Sequence, residues 1–348
     1  MKKVVSIILA LVILCLGALS VNAVSMTDGK DALCAQFGAG KGEEVNGFAI
    51  DYNYFSPVEK KNDKTKYPLV IWLHGMGDGA EVGLPLTKSN ISYWSSDEFQ
   101  SRFKPAGGAY VFIPRSLEED MNYWGDNLIE PLRAVIDGFI SANKNNIDLS
   151  RIYIGGYSMG GKMTLKMAVA YPELFAAAFP ICPAWAPTEE LLSNIADLPV
   201  WFVSSTLDPL VNYYMAVTPT FETLTSISSV AEDCRFSTLG MVKYEDGKKT
   251  SSNHHAWFAV NNDLFTAENG DYYNMSTVNG LGEEVKLSYP DGMISWLTSH
   301  TSDYNGAKGV GTGKLDISVS TDRLVAANGI FDFLKLMWNA VLMIIGLK

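Results

Sequence analysis

The chain has 348 residues, 47% of them hydrophobic and 19% charged, with 30 glycines and 14 prolines. This composition carries enough apolar material for one large domain or two modest ones, and it excludes disordered and collagen-like chains. With 27 basic residues against 38 acidic ones, the net charge is −11, a sign that repels phosphate backbones and argues against a nucleic-acid partner.

The first segment, 1–23, reads as a secretory signal peptide. Lys2 and Lys3 open it, an almost wholly apolar run follows to Val21, and Val21-Asn22-Ala23 supplies a cleavage site. The competing reading is an uncleaved N-terminal anchor, because the run nears membrane-spanning length. Cleavage implies a secreted or extracytoplasmic protein. Cys34, Cys182 and Cys234 then remain, with no C-x-x-C spacing, so a zinc site or a disulfide scaffold is not expected. One bridge between two of them, or buried free thiols, both fit.

Next, short apolar runs alternate with amphipathic ones. Strands are predicted at 69–73 (LVIWL), 110–113 (YVFI), 151–154 (RIYI), 176–182 (AAAFPIC) and 200–204 (VWFVS). Helices are predicted through Ile129, Leu132, Ile136, Phe139 and Ile140, then over 162–169, 188–195 and 293–299. The alternation predicts an α/β catalytic domain over 24–300, with a mostly parallel central sheet and helices on both faces. Chemistry in such sheets gathers at the carboxyl ends of the strands. A glycine-containing linker is expected over 301–329. An apolar helix is expected over 330–348, its polar residues Asp332, Lys335 and Asn339 lying on one stripe. Peripheral membrane contact or docking on the parent domain would both suit it.

Gly156-Tyr157-Ser158-Met159-Gly160 fits G-x-S-x-G, directly after a predicted strand and before a predicted helix. A tight strand-to-helix turn of this kind lifts the serine hydroxyl to the top of a sheet. A serine hydroxyl needs a base. Of the four histidines, His74 precedes the serine and His300 lies beyond the last core helix, which leaves the pair His254-His255. A carboxylate should orient the imidazole. Asp208 follows the strand at 200–204, with Asp233 in reserve. The order Ser158, Asp208, His254 is that of α/β-hydrolases. Two backbone N–H groups should hold the oxyanion. They are assigned to Met159 and to Met76, in the turn His74-Gly75-Met76-Gly77-Asp78, where Gly75 and Gly77 let the backbone approach the substrate.

These motifs resemble those of secreted bacterial serine esterases of the α/β-hydrolase superfamily, the carboxylesterase, feruloyl esterase and polyhydroxybutyrate-depolymerase-like group. The matching features are LHGMGDG at 73–79, Asn122-Tyr123-Trp124, GYSMGG at 156–161, Asp208-Pro209 and His254-x-x-Trp257, within about 67–299. The resemblance implies an α/β-hydrolase fold and hydrolysis of carboxylic esters through an acyl-enzyme, with no metal or other cofactor. It also favours His254 over His255 as the base. The short spacing from Cys182 to the next strand leaves no room for a large lid domain. Trp124, Trp185 and Trp257 are expected to wall a pocket for phenolic or sugar-linked esters, and Tyr272, Tyr273 and Asn274 sit in a long segment that would add to it. The partner is thus a small-molecule or polysaccharide-linked ester. A prolyl-oligopeptidase-like peptidase acting on short peptides is the alternative enzyme, and a non-catalytic binding protein on the same fold is the alternative outside catalysis.

Overall fold

A computed structural model describes residues 30–58, 64–79, 83–116, 124–242, 252–261, 275–287 and 292–306. The signal segment, Asn122-Tyr123, Tyr272 to Asn274, most of the expected linker and the apolar helix at 330–348 lie outside them. Nine strands build one sheet in the order β1-β2-β4-β3-β5-β6-β7-β8-β9. They are β1 Gly38–Lys41, β2 Asp51–Phe55, β3 Tyr67–Leu73, β4 Tyr110–Pro114, β5 Ile147–Tyr157, β6 Ala177–Ile181, β7 Trp201–Ser205, β8 Arg235–Leu239 and β9 Met275–Asn279.

The central strands β3 to β8 run parallel to their neighbours, and antiparallel pairs occur only at the margins, β1 with β2, β2 with β4, and β8 with β9. A strand covered on both faces reads as an unbroken apolar run. All seven residues of β3 and all five of β4, β6 and β7 are indeed buried. The described helices are α1 Lys30–Cys34, α2 Leu84–Lys88, α3 Asp97–Arg102, α4 Ile129–Ala142, α5 Met159–Ala170, α6 Glu189–Leu192, α7 Thr218–Ile227, α8 Trp257–Asn261 and α9 Met293–Ser299.

Helix α4 buries Ile129, Leu132, Val135, Ile136, Phe139 and Ile140, the three-and-four spacing that gives a helix one apolar face. Helix α5 is buried on nearly every side, Lys162 and Lys166 included. Lys166 is accommodated by an ion pair with Asp126 and by the Trp185 ring, 5.2 Å from its ammonium. Between β6 and β7 there is only α6 and one turn of 3-10 helix, so no lid domain is inserted there. Among the described residues no helix is long and apolar enough to cross a membrane.

Three readings are adjusted. The sequence patterns missed β1, β2, β8 and β9, whose sequences GAGK, DYNYF, RFSTL and MSTVN carry no continuous apolar run. Marginal strands have a half-exposed surface and need none. Residues 301–306, assigned to the linker, lie against the body instead: Ser302 N–H donates to Ser150 O at 2.8 Å, and Tyr304 packs on the core. Cys34, Cys182 and Cys234 are all free thiols, so the bridged alternative is set aside.

Candidate active site

The residues picked out by chemistry collect at the carboxyl ends of β3, β5, β6 and β7. Ser158 is the residue between β5 and α5, at φ 58° and ψ −117°. That backbone region is costly for a residue with a side chain and persists only where the surroundings enforce it. Here they do. Ser158 N–H donates to Ile181 O at 2.9 Å at the end of β6, and Ser158 O accepts from Lys162 N–H at 2.9 Å and Ala184 N–H at 3.1 Å. The helix must start almost in contact with β3. A Cβ on Gly160 would lie 2.1 Å from Leu73 O, which explains the glycine two residues after the serine. Met159 is the first residue of α5, and the first N–H groups of a helix have no acceptor within it.

Asp208 follows β7, and its side chain is fully buried. Its Oδ1 accepts from Leu210 N–H at 2.8 Å and Val211 N–H at 3.0 Å. Its Oδ2 meets His254 Nδ1 at 2.8 Å. This orients the imidazole and leaves Nε2 as the ring nitrogen available to a second proton partner. Burial opposes the charged form of His254. The Asp208 carboxylate at hydrogen-bond distance favours it, and the net shift is upward from the ordinary histidine value. His255 differs from His254. It is only half-buried, its ring lies tilted against Trp257 with centroids 5.7 Å apart, and its pKa is pushed down by burial and by the adjacent His254. Asp233, the reserve carboxylate, is exposed in the turn before β8, at the opposite end of the strands.

Cys182, at the end of β6, links these parts. It has φ 35° and is fully buried, its N–H donates to Val203 O at 2.8 Å, and its Sγ lies 3.5 Å from His254 O. The elbow serine, the end of β6, the histidine and the aspartate therefore form one continuous chain of contacts. Sequence patterning left Cys182 as either half of a bridge or a buried free thiol. Ligand atoms of Cys182, Asp208 and His254 lie within 4.8 Å of one another. Asp208 already spends both oxygens on hydrogen bonds, and burial pushes the Cys182 thiol up, away from the thiolate a metal needs.

The turn after β3 is the second half of the site. His74 is fully buried. Its Nδ1–H donates to Gly75 O at 2.7 Å, and its Nε2 accepts from Ser116 N–H at 3.0 Å. Burial lowers its pKa to about 4, so the ring is neutral and acts as a two-ended brace. Gly77 sits at φ 84°, in the left-handed region that glycine tolerates, and Asp78 N–H closes the turn on Gly75 O at 3.4 Å. Met76 is half-buried.

Two of the expected pocket walls are corrected. Trp124 is fully buried, and its indole N–H donates to His74 O at 2.9 Å. Trp185 is 3% exposed and packs over Lys166. Both brace the site from within, because a large ring beside a tight turn is more favourably used as packing than left facing solvent. Trp257 is also buried, 6.0 Å from the Tyr157 ring, and Gly75 is covered by that same ring. A cavity of about 580 Å³ lined by Pro172, Phe175, Pro199 and Tyr304 lies elsewhere. Pro172 and Phe175 precede β6 and Pro199 precedes β7, so it opens at the amino ends of these strands, away from Ser158.

Comparison with known proteins bears on the fold. The Phospholipase/Carboxylesterase family profile matches residues 125–246. Over 126 residues the chain is 31% identical to a poly(3-hydroxyalkanoate) depolymerase C of Paucimonas lemoignei, a match covering 33% of this chain and 27% of that protein. Over 167 residues it is 27% identical to an acyl-protein thioesterase 1 of Cryptococcus neoformans, covering 41% of this chain and 67% of that one. The chain thus spans about a quarter of the depolymerase it matches. The crystal structure of a thermostable esterase superposes with a TM-score of 0.57 at 24% identity, over 78% of this chain and 64% of the other. The chain has the α/β-hydrolase fold.

Proposed function

We propose that this α/β-hydrolase is a serine esterase that cleaves carboxylic esters through an acyl-enzyme. The observation that carries the reading is the buried Asp208–His254 hydrogen bond at 2.8 Å, joined through Cys182 to a serine on a strained elbow. Ser158 Oγ attacks the ester carbonyl carbon while His254 Nε2 takes its proton. The N–H groups of Met76 and Met159 stabilise the oxyanion. His254 then gives the proton to the departing alcohol, and a water activated by the same imidazole releases the acid. Asp208 holds the ring in the tautomer this requires and stabilises its charged form.

Short-chain esters are the substrate class we favour. Trp124 and Trp185, two of the rings expected to wall a phenolic pocket, are buried as braces. Simple acyl thioesters belong to the same chemistry, and the similarity to a thioesterase supports testing them. The positive start and apolar run of 1–23 support action outside the cytoplasm. Contact between 330–348 and a membrane surface is part of the same proposal, resting on the apolar pattern alone.

The test is hydrolysis of a p-nitrophenyl ester series, acetate through long acyl chains plus ferulate, with an acyl thioester beside it, by wild type and Ser158→Ala. Turnover that falls roughly 10⁴-fold or more in the variant is the expected result. Peptide-amide cleavage without ester turnover would make the chain a peptidase. An inert wild type whose Ser158 takes no fluorophosphonate would make it a binding protein.

A further inference from the structure

Two residues inside the recognised motifs have no part in the chemistry above, Asp78 in the turn after β3 and Tyr157 immediately before the nucleophile. Both are 8% exposed. The Tyr157 phenol donates to Asp78 Oδ2. The two lie 79 positions apart in the chain, so the bond joins two loops that are otherwise built separately. The hydroxyl end of the Tyr157 ring lies against the oxyanion turn. A Cβ on Gly75 would come within 2.5 Å of that ring, so the glycine is there because the ring passes so close. On its other sides the ring packs against Trp72 at 6.3 Å, Trp257 at 6.0 Å and the His254 imidazole at 6.4 Å.

We propose that Asp78 and Tyr157 are a positioning pair that latches the oxyanion turn to the nucleophile elbow. The inference rests on the serine-esterase reading. The proposed donors are Met76 N–H on the turn and Met159 N–H on the elbow. Oxyanion stabilisation requires both to point at one atom, within a few tenths of an ångström. His74, Ser116 and Trp124 hold the turn against the β4 side of the site. The Asp78–Tyr157 bond holds the turn to the residue whose neighbour is the nucleophile. Burial and the Asp78 charge keep the phenol protonated far above its ordinary range, so it remains a donor across the working pH range. The pair touches neither substrate nor reacting atoms and acts only through the distance between the two N–H groups. Loss of the bond therefore weakens transition-state binding more than ground-state binding.

The full chain is compared with Tyr157→Phe, Asp78→Leu and Asp78→Asn. The readouts are kcat and KM on p-nitrophenyl acetate, the Ki of a trifluoromethyl ketone that places an oxyanion in the hole, and thermal melting. Tyr157→Phe and Asp78→Leu are expected to lower kcat about 30- to 100-fold, since small misplacements at a reacting centre have effects of that size. KM should stay within about threefold, with Ki weakened in parallel with kcat. Asp78→Asn keeps an oxygen that accepts from the phenol, and it should retain kcat within about fivefold of wild type. A Tyr157→Phe chain with kcat and Ki within threefold of wild type overturns the proposal, even if its melting temperature falls. Should Tyr157→Phe fail to fold, the contrast between Asp78→Leu and Asp78→Asn decides the matter in the same way. A wild type that hydrolyses no ester and leaves Ser158 unlabelled would sink the esterase reading itself, a distinct result.

Discussion

The two buried histidines invite comparison. His74 and His254 are both almost wholly removed from water, and each stands in a loop at the carboxyl end of the sheet. Yet their protonation is pushed in opposite directions, His74 down to about 4 and His254 up. Burial disfavours an imidazolium in both places. The difference is the partner. His74 meets a carbonyl and an amide N–H, neutral groups that fix its tautomer. His254 meets the Asp208 carboxylate, a full negative charge at hydrogen-bond distance. One site thus makes a rigid strut and the other an imidazole that can take up a proton.

The largest effect is expected from removing that charge. Asp208→Asn keeps the shape but donates where it should accept, so it sets the wrong tautomer and should lower kcat roughly 10⁴-fold. The acid limb of kcat/KM should also move. In the proposed mechanism the neutral imidazole is the active form, so the wild-type limb is expected on the alkaline side of ordinary histidine. In the variant it should fall back. A pH–rate profile of both proteins measures the two effects together, and a limb at the same pH in each would contradict the role given to the carboxylate.

The second contrast concerns stability. In the folded chain His74 protonates only near pH 4, whereas in the unfolded chain it does so near pH 6.5. Between those values the unfolded state binds the extra proton, so the contribution is present above 6.5 and is lost as the pH falls towards 4. It amounts to about 3 kcal/mol between pH 7 and pH 4. Urea unfolding at the two pH values should show His74→Gln losing that share of the acid sensitivity. His254, shifted the other way, contributes stability below 6.5 that is lost as the pH rises. A variant whose acid sensitivity equals wild type would mean that His74 is not the group responsible.

The smallest effect belongs to the brace behind the strut. Trp124→Phe removes the indole N–H that His74 O accepts and leaves a buried carbonyl without it, at a cost of about 1–2 kcal/mol. Chemical denaturation at pH 7 reads that loss. Trp124 itself has φ 57°, so its own backbone is already strained, and a much larger loss would indicate that the turn after β3 had moved with it.

The sequence by itself determined the apolar strands at 69–73, 110–113, 151–154, 176–182 and 200–204, the helix through Ile129 to Ile140, and the order of Ser158, Asp208 and His254. These are legible because core periodicity and a strand–turn–helix signature are local properties of the chain. It also carried Asp78, Tyr157 and Cys182 in plain view, without a hint of their roles. Only the tertiary structure decided the distance at which Asp208 meets His254, that Tyr157 reaches Asp78, and that Cys182 touches the histidine backbone. The same holds for Trp124 and Trp185, which composition alone allows to line a pocket or to fill a core. Which partner a buried side chain finds depends on loops brought together across the sheet, and no spacing along the chain encodes that meeting.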